Sequence, residues 1–218
     1  AVALAASLKA TRCEILTDVA GLYTADPRLA SDAKLLSQCS YDECLELADL
    51  GAKMHPRSIE LAKQYGIAVH ILPSYDEKAS GTQVGVAEGA TMEETVVRGI
   101  ATKDGFHYFK IQMGWKGAVE AAKHHRIPLR FFILGQDGAQ LLCESTGASA
   151  LREELNKSTV PVIEKEDVAI ISAVGNGLCH NSEIVPTFLS VLEEFRLEPL
   201  LLTQSSLSVS VAVPSRDK

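Results

Sequence analysis

Apolar residues recur along this chain at two spacings, and the switches between them outline its elements. The opening AVALAASLK is an Ala-rich helical stretch with no N-cap residue ahead of it, the pattern of a chain that starts inside a helix. CEILTDV is a short apolar run ending in Thr-Asp, which predicts a buried strand with polar side chains at its C-terminal end. AGLYTADPRLASDAK, with Gly21, Pro27 and small polar residues, predicts a long loop. In SYDECLELADLGAK, Ser40 stands three residues before Glu43, the spacing of a capping box, and apolar residues follow at helical intervals. HPRSIELAKQYG predicts another helix closed by Gly66, and the β-branched IAVHILPS predicts a strand.

EKASGTQVGVAEGATMEE, rich in Gly, Ser, Thr and acidic residues, reads as a linker near residues 79 to 94. The division expected is 1–80 for one domain, 81–94 for the linker and 95–218 for a second region. Beyond the linker, VVRGIATK and FHYFKIQM predict two strands, WKGAVEAAKHHR a helix, IPLRFFIL and AQLLCEST a hairpin around GQDG, and SALREELNK a helix. VPVIEK and VAIISAV predict strands, SEIVPTFLSVLEEFR a helix, and EPLLLTQ and LSVSVAV two closing strands. Two rounds of βαββ describe a pair of ferredoxin-like units. Because the chain stops at VAVPSRDK, the second round reads as incomplete, with an apolar sheet face left uncovered.

Composition narrows the function. The 218 residues are 46% hydrophobic and 22% charged, an ordinary globular composition. A formal net charge of -7 argues against nucleic acid or an anionic membrane surface, either of which asks for a basic face, and leaves small polar metabolites. No apolar run reaches the roughly 18 to 20 residues that span a bilayer, and the opening lacks the pattern of a signal peptide, so a cytoplasmic location is expected. The cysteines Cys13, Cys39, Cys44, Cys143 and Cys179 form no C-x-x-C pair and read as reduced, mostly buried thiols. The histidines lack metal-ligand spacing, so no metal site of protein ligands alone is expected.

The chemistry concentrates in Thr17-Asp18-Val19 through Gly21-Leu22-Tyr23-Thr24-Ala25-Asp26-Pro27-Arg28. It offers a strand-end acceptor and hydroxyl, a backbone bend at Gly21, an aromatic face in Tyr23 and a phosphate-capable cation in Arg28. Taken alone, the same residues also fit a polar loop whose D-P-R turn merely connects two elements.

TDVAGLYTADPRL, followed by SYDECLELADLGAKMHPRSIELAKQYGI, resembles aspartokinases. The resemblance implies an α/β fold: the C-terminal portion of an amino-acid-kinase αβα sandwich, then two ferredoxin-like (βαββαβ) ACT-type units. It implies that Thr17, Asp18, Tyr23, Asp26 and Arg28 form much of the site for ATP with Mg²⁺, and that Lys53 of the G-A-K segment is a further nucleotide contact. In G-A-K-M-H-P-R the chain is one residue shorter before His55 than the family pattern, and His55 reads as structural. The family's Lys-Phe-Gly-Gly and Gly-Arg-Gly-Gly-Ser-Asp segments have no counterpart here, so no catalytic residue is expected within this chain, and this stretch alone is expected to be inactive.

The second region resembles the paired ACT domains of aspartokinases, most clearly at VAIISAVGNGLCHNSEIVPTFLSVLEEF. Val174-Gly175-Asn176-Gly177 is expected to lead from a strand into a helix whose N-terminus offers N–H groups to an effector carboxylate, with Asn176 and Gly177 in contact; a Gly-rich turn without ligand fits equally. In the first unit Trp115-Lys116-Gly117-Ala118 replaces the Asp-x-Pro-Gly turn, so Trp115 and Lys116 are the matching effector positions, and Lys116 would repel an effector ammonium. The resemblance further implies a homo-oligomer through ACT units. The activity implied is ATP-dependent phosphorylation of the L-aspartate side-chain carboxylate to 4-phospho-L-aspartate, for lysine, threonine and methionine synthesis, under amino-acid feedback. The other readings are a regulatory subunit or amino-acid-binding module that never catalyses, and a kinase acting on glutamate, acetylglutamate or uridylate.

Overall fold

The computed structural model describes residues 1–52, 54–85, 96–112, 115–157 and 160–218. Ten strands and six α-helices alternate through them, and the chain divides into two compact units: 1–102 with 172–188 and 204–209, and 103–171 with 189–203 and 210–218. The expected linker, 81–94, lies outside the described residues from 86 onward.

In the first unit, α1 (Val2–Ser7) leads into β1 (Arg12–Thr17). After a long loop come β2 (Gln38–Ser40), α2 (Tyr41–Asp49), α3 (Pro56–Tyr65), β3 (Ala68–Pro73) and β4 (Thr82–Gly85). The four strands form one sheet in the order β1-β3-β4-β2, with β1 parallel to β3, β4 antiparallel to β3, and β2 parallel to β4. Strand β4 occupies the beginning of the segment whose composition reads as linker. Its four residues bury Thr82, Val84 and Gly85 and leave Gln83 outward, a strand alternation too short to stand out among so many small polar residues.

The local signals explain the helices. Ser40 Oγ accepts from the Glu43 amide at 3.2 Å while Glu43 Oε2 accepts from the Ser40 amide at 2.9 Å, a complete capping box at the start of α2. Pro56 opens α3, and Gly66, at φ 65°, closes it in the left-handed conformation. Ile59, Ala62, Val69, Ile71 and Val84 form the buried centre of the unit, and the Tyr41 hydroxyl donates to the Ile67 carbonyl at 2.8 Å. Burial raises the Tyr41 pKa above the usual phenol value.

A six-stranded sheet of order β6-β7-β5-β8-β10-β9 runs through the second unit, and residues 96–102, 172–176, 204 and 208–209 of its strands fall in the first. Its strands are β5 (Val96–Gln112), β6 (Leu129–Gly135), β7 (Gly138–Glu144), β8 (Val162–Asn176), β9 (Leu201–Gln204) and β10 (Ser208–Pro214). Helices α4 (Lys116–His125) and α5 (Ser145–Asn156) complete a β5-α4-β6-β7-α5-β8 round, and β6-β7-β5-β8 is the strand order of a ferredoxin-like unit. A second β-α-β-β follows, with α6 (Ile184–Glu194) between β8 and β9. Phe109, Ile111, Ala118, Ala121, Leu141, Leu151 and Leu155 pack together beneath α4 and α5. Phe106, Tyr108, Leu142, Val168 and Ile170 alternate with these along the strands and form a separate buried cluster.

Two expectations are corrected here. VVRGIATK and FHYFKIQ run as one strand, β5, with Gly105 at φ 88° within it, Met113 lying outside the described residues. VPVIEK and VAIISAV are likewise one strand, β8, with Asp167 at φ 52°. The breaks between the two pairs of predicted strands fall at these positive-φ residues, and positive φ is equally the mark of a kink that lets a strand continue. At the β5 kink the Gly105 carbonyl accepts from Ser145 Oγ at 2.8 Å. The hairpin around GQDG is present, Gly135 pairing with Gly138, and β6 carries a register shift between Arg130 and Ile133, where Phe131 has φ 47°.

Candidate functional site

Strand β1 delivers Thr17 and Asp18 to its C-terminal end, beside the end of β3, where the Ser74 amide donates to the Thr17 carbonyl at 2.7 Å. Thr17 Oγ1 lies 3.1 Å from Asp18 Oδ1, and Asp18 is exposed. In α/β sheets this edge is where ligands are taken up, because the strand ends and following loops leave backbone and polar side chains facing a crevice.

The loop that follows is a narrow-necked excursion rather than a free connection. Thr24 N–H donates to the Lys34 carbonyl at 2.8 Å, Thr24 Oγ1 accepts from the Lys34 amide at 2.9 Å, and the Leu36 amide donates to the Leu22 carbonyl at 2.8 Å. Tyr23 and Leu35 form an antiparallel bridge between these bonds. A third backbone arm joins from β5, where the Ile100 amide donates to the Thr24 carbonyl at 2.7 Å.

At the outer end of the loop the D-P-R turn closes on itself. Asp26 Oδ1 accepts from the Arg28 amide at 2.9 Å and from Arg28 Nε at 3.0 Å, while Oδ2 accepts from Nη2 at 2.6 Å. The bidentate hydrogen bond and the charge of Asp26 hold the Arg28 pKa above its usual value. The Arg28 side chain nonetheless remains 71% exposed, so Asp26 fixes where the guanidinium stands without burying it. The structure therefore brings Tyr23, Asp26 and Arg28 together on one hairpin-like loop, with Thr17 and Asp18 at its root. Lys53 lies outside the described residues.

The base of the loop is held by a residue with no motif to announce it. Thr82 on β4 is fully buried at 0% exposure, donates through Oγ1 to the Leu36 carbonyl at 2.6 Å, and accepts from the Leu22 amide at 2.9 Å. Glycines make room on both sides. A Cβ on Gly21 would lie 2.5 Å from Thr82 Oγ1, and a Cβ on Gly81, at φ 58°, would lie 2.1 Å from the Ile71 carbonyl oxygen. Sequence reasoning missed Thr82 because it sits in the segment with linker composition, and its partners are far away in the chain.

Asn176 ends β8 and Gly177 follows it, both within the first unit. Gly177, at φ 69°, does not open directly onto a helix: a single 3-10 turn, Leu178–His180, and Asn181 intervene before α6. Asn181 Oδ1 accepts from the Glu183 amide at 2.9 Å, and Leu178 is buried with its carbonyl accepting from Gln204 Nε2 at 3.0 Å. The expectation that this turn leads straight into a helix N-terminus is corrected accordingly. Trp115 and Lys116 belong to the second unit, Trp115 as the half-buried N-cap of α4 without a side-chain capping bond, Lys116 exposed.

The second unit also holds a charged cluster that residue spacing hides. His107 on β5 and Glu164 and Glu166 on β8 bring their ligand-type atoms within 4.8 Å of one another. Arg152 of α5 already spans them, with Nε to Glu164 Oε2 at 2.7 Å, Nη2 to Glu164 Oε1 at 2.7 Å and Nη2 to Glu166 Oε1 at 2.5 Å. His107 Nδ1 stands 2.9 Å from Glu164 Oε1. Burial pushes the Glu164 carboxyl upward, but hydrogen bonds from Arg152 and His107 outweigh it and hold the pKa below the usual range. The guanidinium occupies the place a cation would take, so the cluster is a filled ion-pair network. Cys13, Cys39, Cys44 and Cys143 are buried free thiols and Cys179 is exposed; burial first, then Glu164 and Glu144, push Cys143 up to about 12.

Comparison with known proteins follows this geometry. The model of the amino acid kinase family matches residues 1–73, the part that carries β1, the loop and α2–α3. An aspartokinase of Bacillus sp. (strain MGA3) is 35% identical over 98% of this chain, which covers 56% of that protein. Over nearly its whole length the chain is similar to aspartokinases. It spans about half the length of the curated relatives it matches. Among solved structures, E. coli aspartokinase III in complex with aspartate and ADP (R-state) matches all of this chain and 52% of its own, with TM-score 0.84 and 26% identity. The same enzyme in complex with lysine and aspartate (T-state) matches with TM-score 0.78.

Proposed function

We propose that this chain is the nucleotide-binding end and regulatory portion of an ATP-dependent aspartate kinase. In the complete reaction an oxygen of the L-aspartate side-chain carboxylate bonds to the γ-phosphorus of ATP while the bond to the β–γ bridging oxygen breaks, giving 4-phospho-L-aspartate and ADP. The product feeds lysine, threonine and methionine synthesis in the cytoplasm. The observation that carries the reading is the preformed loop at the end of β1, with Arg28 held outward by Asp26. It is supported by the likeness to an enzyme solved with ADP.

Phosphoryl transfer asks the protein mainly for positioning and for charge near the phosphates. Thr17 and Asp18 offer a hydroxyl and a carboxylate at the strand end. Tyr23 offers an aromatic face, and Arg28 offers the part of its guanidinium that Asp26 does not use. Asp26 is spent on orienting Arg28, which suits a positioning role better than a metal ligand. Mg²⁺, bound with the nucleotide, supplies charge neutralisation along the phosphates. Lys53 completes the proposed set. Feedback control by an amino acid is assigned to Asn176 and Gly177, with Trp115 and Lys116 the matching positions of the other unit, where the Lys116 charge disfavours an effector ammonium; the likeness to an enzyme solved with lysine supports control by an amino acid without fixing which one. A homo-oligomer through the ACT-type units belongs to the same proposal.

Calorimetric titration with ATP and Mg²⁺ tests the reading. The unmodified chain is expected to bind without turnover, and Arg28→Ala to weaken binding about 10- to 100-fold, the value of a charged hydrogen bond of about 1.5–3 kcal/mol. Titration with lysine and threonine runs alongside. An amino-acid signal with no nucleotide signal would move the chain to the non-catalytic regulatory reading.

A further inference from the structure

We propose that Thr82 is a positioning residue of the nucleotide loop, acting through its hydroxyl on both arms of the loop at once. The inference rests on the nucleotide reading above. The hydroxyl uses its donor on the Leu36 carbonyl at 2.6 Å and its acceptor on the Leu22 amide at 2.9 Å. These two residues bracket the Tyr23–Leu35 bridge from which the Asp26–Arg28 turn projects. The neighbouring Gln83 amide donates to the Ser37 carbonyl at 2.9 Å, so β4 is stitched to the returning arm by its backbone and to the outgoing arm by the Thr82 side chain.

Space around the hydroxyl is as tightly set as its bonds. Gly21 approaches so closely that a Cβ would stand 2.5 Å from Thr82 Oγ1 and 3.1 Å from the Thr82 amide nitrogen. Gly81 presses against the β3 backbone at Ile71, fixing the height at which Thr82 enters. A buried hydroxyl with both capacities filled cannot be replaced by an apolar group of the same shape without leaving the Leu22 amide and the Leu36 carbonyl short of a partner. The arms would then be free to shift against each other, and Arg28, which reaches the nucleotide from the far end of the loop, would lose its fixed starting point. A displacement of this kind costs affinity although Thr82 touches no ligand.

The test titrates the full chain and its variants Thr82→Val and Thr82→Ser with ATP and Mg²⁺, well below each variant's melting temperature. Hydrogen exchange at the Leu22 amide is followed in parallel. The expected result is a dissociation constant about tenfold higher for Thr82→Val, with faster exchange at Leu22, and recovery to within about twofold in Thr82→Ser. A merely structural role would lower the melting temperature and leave the affinity of the folded protein unchanged. Equal affinity of wild type and Thr82→Val overturns the inference, as does equal weakening in Thr82→Ser, which would place the effect in the methyl group. Should Thr82→Val fail to fold, Thr82→Cys, whose thiol is a weak donor and acceptor, must fall between Ser and wild type on one side and non-binding on the other. If the unmodified chain binds no nucleotide, the nucleotide reading itself falls and takes this inference with it.

Discussion

The capping box at the start of α2 invites a double-mutant cycle, because its two bonds run in opposite directions between the same two residues. Ser40→Ala removes the Oγ that accepts from the Glu43 amide at 3.2 Å, a loss of about 1 kcal/mol for an N-cap. Glu43→Ala removes more. Its carboxylate is only 4% exposed, accepts from the Ser40 amide at 2.9 Å and stands 3.5 Å from Arg98 Nε on β5. Loss of a buried charged acceptor with those partners is expected to cost about 2–3 kcal/mol. Once Glu43 is gone the first turn frays and the Ser40 cap has less to hold, so the double variant should fall short of the sum by about 0.5–1 kcal/mol. Urea unfolding measures the total, and hydrogen exchange of the α2 amides assigns it to this helix even where the two units unfold separately. Strict additivity, or a Glu43→Ala loss no larger than that of a surface substitution, would refute the reciprocal arrangement. Glu43→Gln, which keeps an acceptor oxygen, should lose less than Glu43→Ala.

In the second unit, Glu164→Gln is expected to lower stability at neutral pH by about 1–2 kcal/mol through loss of the charged bonds from Arg152 and His107. Because the folded pKa of Glu164 lies below its ordinary value, that stabilisation is present above the ordinary carboxylate pKa of about 4.3 and is lost as pH falls through the lower folded value. The urea midpoints of wild type and variant should therefore converge in acid. Gly81→Ala combines a left-handed φ of 58° with a Cβ 2.1 Å from the Ile71 oxygen. A loss of about 2–4 kcal/mol is expected in thermal melts, against near-neutrality if the β3–β4 connection can relax.

Much of the first unit is legible in the sequence because its signals are local. Ser40 and Glu43 are three residues apart, Pro56 and Gly66 punctuate α3, and the Thr17–Asp18 strand end runs directly into the D-P-R loop. Each of those features acts within one or two turns of chain, where propensity and spacing carry the information. The same holds for the GQDG hairpin, whose two-residue connection follows from Gly135 pairing with Gly138. What the sequence conceals is non-local or ambiguous in sign. Gly105 and Asp167 carry turn chemistry and positive φ, but the sheet extends on both sides of each, so neighbours rather than residue type decide between a turn and a kink.

Polar partners distant in sequence are the second blind spot, and they bear on function. His107, Arg152 and Glu164 come from β5, α5 and β8, and only the folded sheet and helix turn three unremarkable residues into one ion-pair network. Thr82 is the sharper case. Its segment has the composition of a tether, yet the hydroxyl joins Leu22 and Leu36 across 60 and 46 positions of sequence. A motif search finds the residues that reach toward a ligand, because their chemistry is unusual. It passes over the residue that fixes them, since a buried threonine satisfying two backbone groups is chemically ordinary wherever it occurs. The loop's usefulness depends on both kinds: Arg28 supplies charge, and the spacing of the arms determines where that charge stands. A site description that ends at the D-P-R turn therefore omits the contact that gives the turn a fixed place.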